Sequence, residues 1–133
     1  MEVLVTPDVE AVAVSWLRKE LSARGVKATV ATKVPSTMPA NMVRVSVTGG
    51  SRRDRVTDRP RITVECWSGS SVAAGDLARL SCALMLAAAG ETISGVWVRS
   101  TNSVGLPASF PDPDTNNPRY QFTVGWQVRP VAA

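Results

Sequence analysis

Histidine is missing from all 133 residues of this chain. Its absence removes the usual general base, the commonest metal ligand and every Ser–His or Cys–His nucleophile pair. Cysteine is nearly as scarce, with only Cys66 and Cys82. Their spacing suits neither a zinc site nor a Cys-x-x-Cys redox pair. Cys66 falls on a predicted strand and Cys82 on a predicted helix, so both read as buried free thiols. No apolar run reaches the length of a membrane span, and the longest, Leu77 to Ala89, is interrupted by Arg79. The N-terminus lacks a basic region followed by an apolar stretch, so no signal peptide is expected and the cytosol is the default compartment. No catalytic residue, metal or cofactor is expected, and function is sought in assembly or binding.

What is present describes one α+β domain over residues 1–133. A hydrophobic share of 44% with 20% charged residues is ordinary for a folded globular chain. Thr6-Pro7-Asp8 reads as a helix start with Thr6 as cap, and Val9, Val12, Ala13, Trp16 and Leu17 follow at helical spacing up to Gly25. Val26 to Val34 alternates as a strand that Pro35 to Pro39 breaks. Val43, Val45 and Val47, then Ile62, Val64 and Cys66, face one way on two further strands. Ser70 or Ser71 starts a second helix that runs to Ala89 and stops at Gly90. Val96 and Val98 form a short strand, and a loop from Ser100 to Asn117 leads to the last one. In that last run Tyr120, Phe122, Val124, Trp126 and Val128 alternate with polar residues, which gives a strand with one apolar face. The expected order is α-β-β-β-α-β-β: a mostly antiparallel sheet of about five strands, with two helices on one face and a long β-hairpin arm.

Charge is concentrated on that arm. Arg52, Arg53, Arg55, Arg59 and Arg61 stand against Asp54 and Asp58, a net +3 out of +4 for the chain. Such a segment suits an acidic protein surface or nucleic acid, and Gly49 to Pro60 reads as a long connecting loop. Trp67 and Trp97 fall on the polar faces of their strands, where exposed aromatics suggest subunit contacts. Asp112 and Asp114 lie in a Pro-rich loop, where turn chemistry is the simplest role for them.

This layout, the arginine-bearing hairpin and the closing Pro118-Arg119-Tyr120-Gln121-Phe122-Thr123-Val124-Gly125-Trp126-Gln127-Val128-Arg129 segment resemble the tail terminator proteins of long-tailed, non-contractile bacteriophages. The resemblance implies a structural virion protein with no enzymatic activity. It implies a homo-oligomeric, hexameric ring that caps the tail tube, stops tube polymerisation and offers a surface for head joining. The partners implied are further copies of the chain, the major tail tube protein, the head-completion or connector protein and, transiently, DNA passing through the lumen, with no membrane. The location implied is the tail–neck junction of the virion, reached from the host cytoplasm during assembly. The hairpin arginines (Arg52, Arg53, Arg55, Arg59, Arg61) would form the docking interface. Trp67, Trp97, Asp112, Asp114 and Arg119 would form subunit or loop contacts. Three alternatives stay open: a head-completion protein of the same neck, a small basic nucleic-acid-binding module, and a histidine-free metal enzyme built on Asp112, Asp114 or Glu65.

Overall fold

Two helices lie on one face of a six-stranded sheet in a computed structural model that describes residues 1–133. Strand β1 (Leu4–Val5) precedes helix α1 (Val9–Ala23), and β2 (Thr29–Ala31), β3 (Met42–Asp54) and β4 (Thr57–Trp67) follow. Helix α2 (Ser71–Leu86) leads to β5 (Thr92–Ile93), β6 (Val96–Ser109), β7 (Arg119–Val128) and β8 (Val131–Ala132). The main sheet has the order β2-β3-β4-β7-β6-β5, and β1 and β8 form a separate two-stranded sheet that joins the chain's ends. Only the β2–β3 pairing is parallel. The α+β class and the element order agree with the sequence reading, and three two-residue strands (β1, β5, β8) are additions to it.

Several boundaries differ, each for a physical reason. Asp8 rather than Thr6 caps α1, its Oδ1 accepting the Ala11 amide at 3.1 Å. The alternation from Val26 to Val34 yields only three paired residues, because Val30 alone is fully buried there. Gly49 to Pro60 is not a loop. Strands β3 and β4 run through it and turn only at Arg55-Val56, and β4 stays paired with β7 as far as Asp58↔Val128. The hairpin is therefore long but built into the sheet, and only its turn reaches past the neighbouring strand. Gly50 makes this possible. It sits at φ +127°, and a Cβ there would run into the Arg59 carbonyl.

The predicted loop from Ser100 is likewise mostly strand. β6 continues to Ser109 through three register shifts, at Val98/Ser100, Ser103/Gly105 and Gly105/Ala108. Bulges accommodate the glycine and proline that break its alternation. The true connection is Phe110 to Pro118.

The core lies between helices and sheet: Val43, Val45, Ile62, Val64, Phe122, Val124, Trp126 and Val128 point to Leu17, Leu21, Ala78 and Met85. Gly75 and Ala78 let α2 approach closely, with the Tyr120 ring 3.2 Å from where a Gly75 Cβ would stand. The last four carbonyls of a helix lack partners within it, and α2 has no basic residue in its last turn. Three side chains from elsewhere serve instead. Trp16 Nε1 donates to Leu84 O (2.8 Å), Trp126 Nε1 to Met85 O (2.9 Å) and Thr101 Oγ1 to Leu86 O (2.6 Å). No helix is long and apolar enough to cross a membrane.

Trp126→Phe keeps most of the packing but strands the buried Met85 carbonyl, at a cost of about 1–3 kcal/mol. Trp126→Ala adds a cavity and costs about 3–5 kcal/mol. Urea denaturation of both variants checks this, and a Trp126→Phe variant as stable as wild type would show that the hydrogen bond contributes nothing.

Candidate functional site

Helices cover one face of the main sheet, and the other face is open. Strand alternation places Arg44, Ser46, Thr48 and Ser51 of β3 on it, with Arg59, Arg61, Thr63, Glu65 and Trp67 of β4. β7 adds Arg119, Gln121, Thr123, Gly125 and Gln127. A ladder of hydroxyls crosses its middle: Thr48 Oγ1 to Thr63 Oγ1 at 3.0 Å, and Thr63 Oγ1 to Thr123 Oγ1 at 3.1 Å.

At one end of this face, three of the predicted site residues meet. Arg119 donates from Nη1 to Glu65 Oε2 (2.9 Å) and from Nε to Phe110 O (2.8 Å), and its guanidinium stands 5.7 Å from the Trp67 ring centre. Trp67 Nε1 donates to Asp112 Oδ2 at 3.2 Å, and Asp112 Oδ1 accepts the Asp114 amide at 3.0 Å. These donors, the Asp114 amide above all, hold the Asp112 carboxyl below the usual carboxylate range. Asp112 thus orders the loop, the turn chemistry expected of it. Arg44 completes the cluster, 3.5 Å from Glu65 Oε1. Trp67 corrects the sequence reading. It does lie on the polar face, but the 110–118 loop covers it and it is 3% exposed. Trp97 lies at the opposite end of the sheet and is 40% exposed, as expected. Asp114 stays exposed, tied to the cluster only through its backbone.

The five arm arginines separate. Arg52 turns to the helix side, where its Nε and Nη2 grip the buried Asp58 carboxylate at 2.6 and 3.1 Å and its Nη1 donates to Leu4 O at 3.0 Å. This ties the hairpin to β1 and leaves the Arg52 fork occupied within the molecule. Arg53 reaches Gln127 Oε1 at 3.3 Å, and Arg59 reaches Ser51 Oγ at 3.4 Å. The Arg55 and Arg61 side chains have no ion-pair or hydrogen-bond partner. Arg59 and Arg61 border an open groove of about 530 Å³ with Gly50, Asn102, Gly125 and Gln127. Gly125 forms part of its floor, since a Cβ there would meet Asn102 Oδ1 at 2.5 Å.

β6 supplies a surface that the sequence reading missed. Past the short β5 it forms the sheet's free edge, and it carries Val104, Leu106 (72% exposed) and, at its end, Phe110 (50% exposed). The signal was present in Leu106 and Phe110, two apolar side chains in a segment otherwise read as loop. Val56 is similarly exposed at the hairpin turn.

No three Asp, Glu, Cys or His residues converge as a metal site. Burial pushes the Cys66 thiol up to about 12 and raises that of Cys82, so neither is a thiolate nucleophile near neutrality.

No protein-family model matches the chain, and no curated protein matches its sequence. Solved structures do match in fold. One is a chain described as from the virion of a native gene transfer agent particle, with a TM-score of 0.60 and 15% sequence identity. The alignment covers 91% of this chain and 94% of that one. At that identity the likeness is one of fold, and it extends over nearly the whole of both chains.

Two outcomes are expected here. The Arg52 fork holds the Asp58 carboxyl below its ordinary range, against the opposing effect of burial. The stabilisation is therefore full above the unfolded value of about 3.9 and is lost as pH falls through the lower folded value. Asp58→Asn should lower the melting temperature clearly at pH 7 and much less at pH 2. An equal loss at both would show that the ion pair is not the cause. Second, neither cysteine should react with a thiol-specific disulfide reagent until the protein is unfolded. Rapid labelling of native protein would contradict the burial of both.

Proposed function

We propose that this chain is a structural virion protein that closes the tail tube as a ring, a tail terminator. The observation that carries this reading is the fold shared with a gene transfer agent virion chain across nearly the full length of both. The surface supports it too. A ring needs a heterologous contact, in which two different patches of one chain meet. The sheet has two such ends. Arg53, Arg55 and Val56 crown the hairpin turn, whereas Leu106, Phe110 and Asp114 gather at the opposite end, near the 110–118 loop. Cationic and apolar groups at one end face acidic and apolar groups at the other, which suits head-to-tail association of copies. A few exposed apolar anchors are enough to carry such an interface.

In this reading the mechanism is geometric. The ring seats on the last ring of the major tail tube protein, covers the surface on which another would grow, and offers its other side to the head-completion or connector protein. Repeated docking contacts, six in a hexamer, turn weak binding into strong binding. The chain would work at the tail–neck junction of the virion, with assembly in the host cytoplasm. No bond is made or broken. Arg52 is set aside from the docking group because Asp58 and Leu4 occupy it.

Electron microscopy of particles assembled without the chain tests this. Abnormally long, headless tails beside filled heads are the expected result. Tails of normal length that fail to join heads would assign the chain to head completion instead, and intact particles would overturn both. Arg53→Ser with Arg55→Ser, or Leu106→Asp alone, should reproduce the defect while changing monomer stability by less than about 0.5 kcal/mol, since these residues are exposed.

A further inference from the structure

The open sheet face is unbalanced in charge. Of the acids on its strands, Glu65 is already shared between Arg44 and Arg119, and Asp54 stands at the very end of β3. Toward the hairpin turn the face presents Arg53, Arg59 and Arg61, with the Asp54 carboxylate 3.9 Å from Arg53. Arg99 stands exposed at the same end of the sheet, where Val98 pairs with Val128. Arg59 and Arg61 are two residues apart on β4, so their side chains leave the same face about 6.6–6.8 Å apart along the strand. They form a row, which suits a repeating anion better than a single one. Beside the row, Gly125 contributes no side chain, and the groove there is bordered by the neutral hydrogen-bonding groups of Asn102 and Gln127.

We propose that this groove binds the phosphate backbone of duplex DNA, with Arg59 and Arg61 pairing to phosphates while Asn102 and Gln127 donate from their side-chain amides. An acidic protein is the competing polyanion, and the surface argues against it. Stable protein interfaces are anchored by apolar or aromatic side chains in desolvated pockets. Here Val104 is the one exposed apolar side chain at the groove, whereas Leu106 and Phe110 lie farther along β6. A single strand would need aromatic platforms for its bases. Trp67 is covered, Trp126 is buried, and Trp97 does not line the groove. What remains is recognition of a backbone by charge and hydrogen bonds, without base contacts. The inference is a property of the single chain and does not rest on ring formation. In a ring, it would mark this face as the one turned toward passing DNA.

The test is fluorescence anisotropy of a short labelled duplex titrated with the purified full chain over a series of salt concentrations. Three proteins are compared: wild type, Arg59→Ser/Arg61→Ser, and Lys19→Ser/Lys33→Ser. The lysine variant removes the same charge from exposed sites off the groove. Wild type should bind with an affinity that falls linearly in log–log form with salt. The arginine variant should lower that slope by about 2, matching two lost phosphate contacts, and weaken binding at least tenfold at low salt. The lysine variant should keep the slope, and unchanged melting curves would show that all three are folded. Equal loss in both variants would mean diffuse attraction to a basic protein and would overturn the site. So would an arginine variant that binds like wild type. Competition by poly-glutamate as effective as that by unlabelled duplex would overturn it in favour of an acidic protein surface.

Discussion

The C-terminal turn of α2 is the point on which the fold depends. Leu84, Met85 and Leu86 present three consecutive buried or half-buried carbonyls that the helix cannot satisfy. Their donors come from α1 (Trp16), β7 (Trp126) and β6 (Thr101). An unpaired buried carbonyl is costly, so these three bonds fix the distance and rotation of α2 against the other helix and against two strands at once. The two indoles also fill the space between the layers. The sheet's orientation under the helices, and therefore which of its faces is left open, follows from this junction.

From there the open face divides by chemistry. The Glu65–Arg119–Trp67–Asp112 cluster consumes its charges internally and secures the 110–118 loop. On the other side of the hydroxyl ladder the arginines have few partners or none. The Arg52–Asp58 pair works from beneath, joining the hairpin to the terminal sheet, so that the turn bearing Arg53 and Arg55 is braced by β1 and β8. Apolar exposure is kept apart on the free edge of β6. Apolar anchors and free cations favour different partners, so the separation leaves two chemically distinct surfaces on one chain.

Much of this was legible in the sequence because alternation is a strong signal. The apolar face of Tyr120 to Val128, the valines of β3 and β4, and the core position of Trp16 all follow from period and composition. Glycine and proline misled where they occurred inside strands. Gly49 and Gly50 in β3, Pro60 in β4, and Gly105 and Pro107 in β6 read as loop, yet each strand continues through them by a bulge or a positive φ. Tertiary pairing decided these positions, and a local rule cannot see it. The same holds for side-chain partners. Nothing near Arg52 in sequence separates it from Arg53, but the pleat sends one to Asp58 and the other to the open face. Trp67 was placed on the correct face, and its cover came from a loop more than forty positions away, joined through Asp112. The fold shared with a virion chain at 15% identity agrees with the α+β architecture read from the sequence.

The most direct measurement is a cryo-electron-microscopy reconstruction of the particle that carries this chain. The account predicts a closed ring of copies at the end of the tail tube, with Leu106 and Phe110 buried against the hairpin turn of the next copy. It also predicts the Arg59–Arg61 groove facing the channel. A particle in which the chain sits elsewhere than the tail end, or in which the β6 edge faces solvent between separate copies, would contradict it.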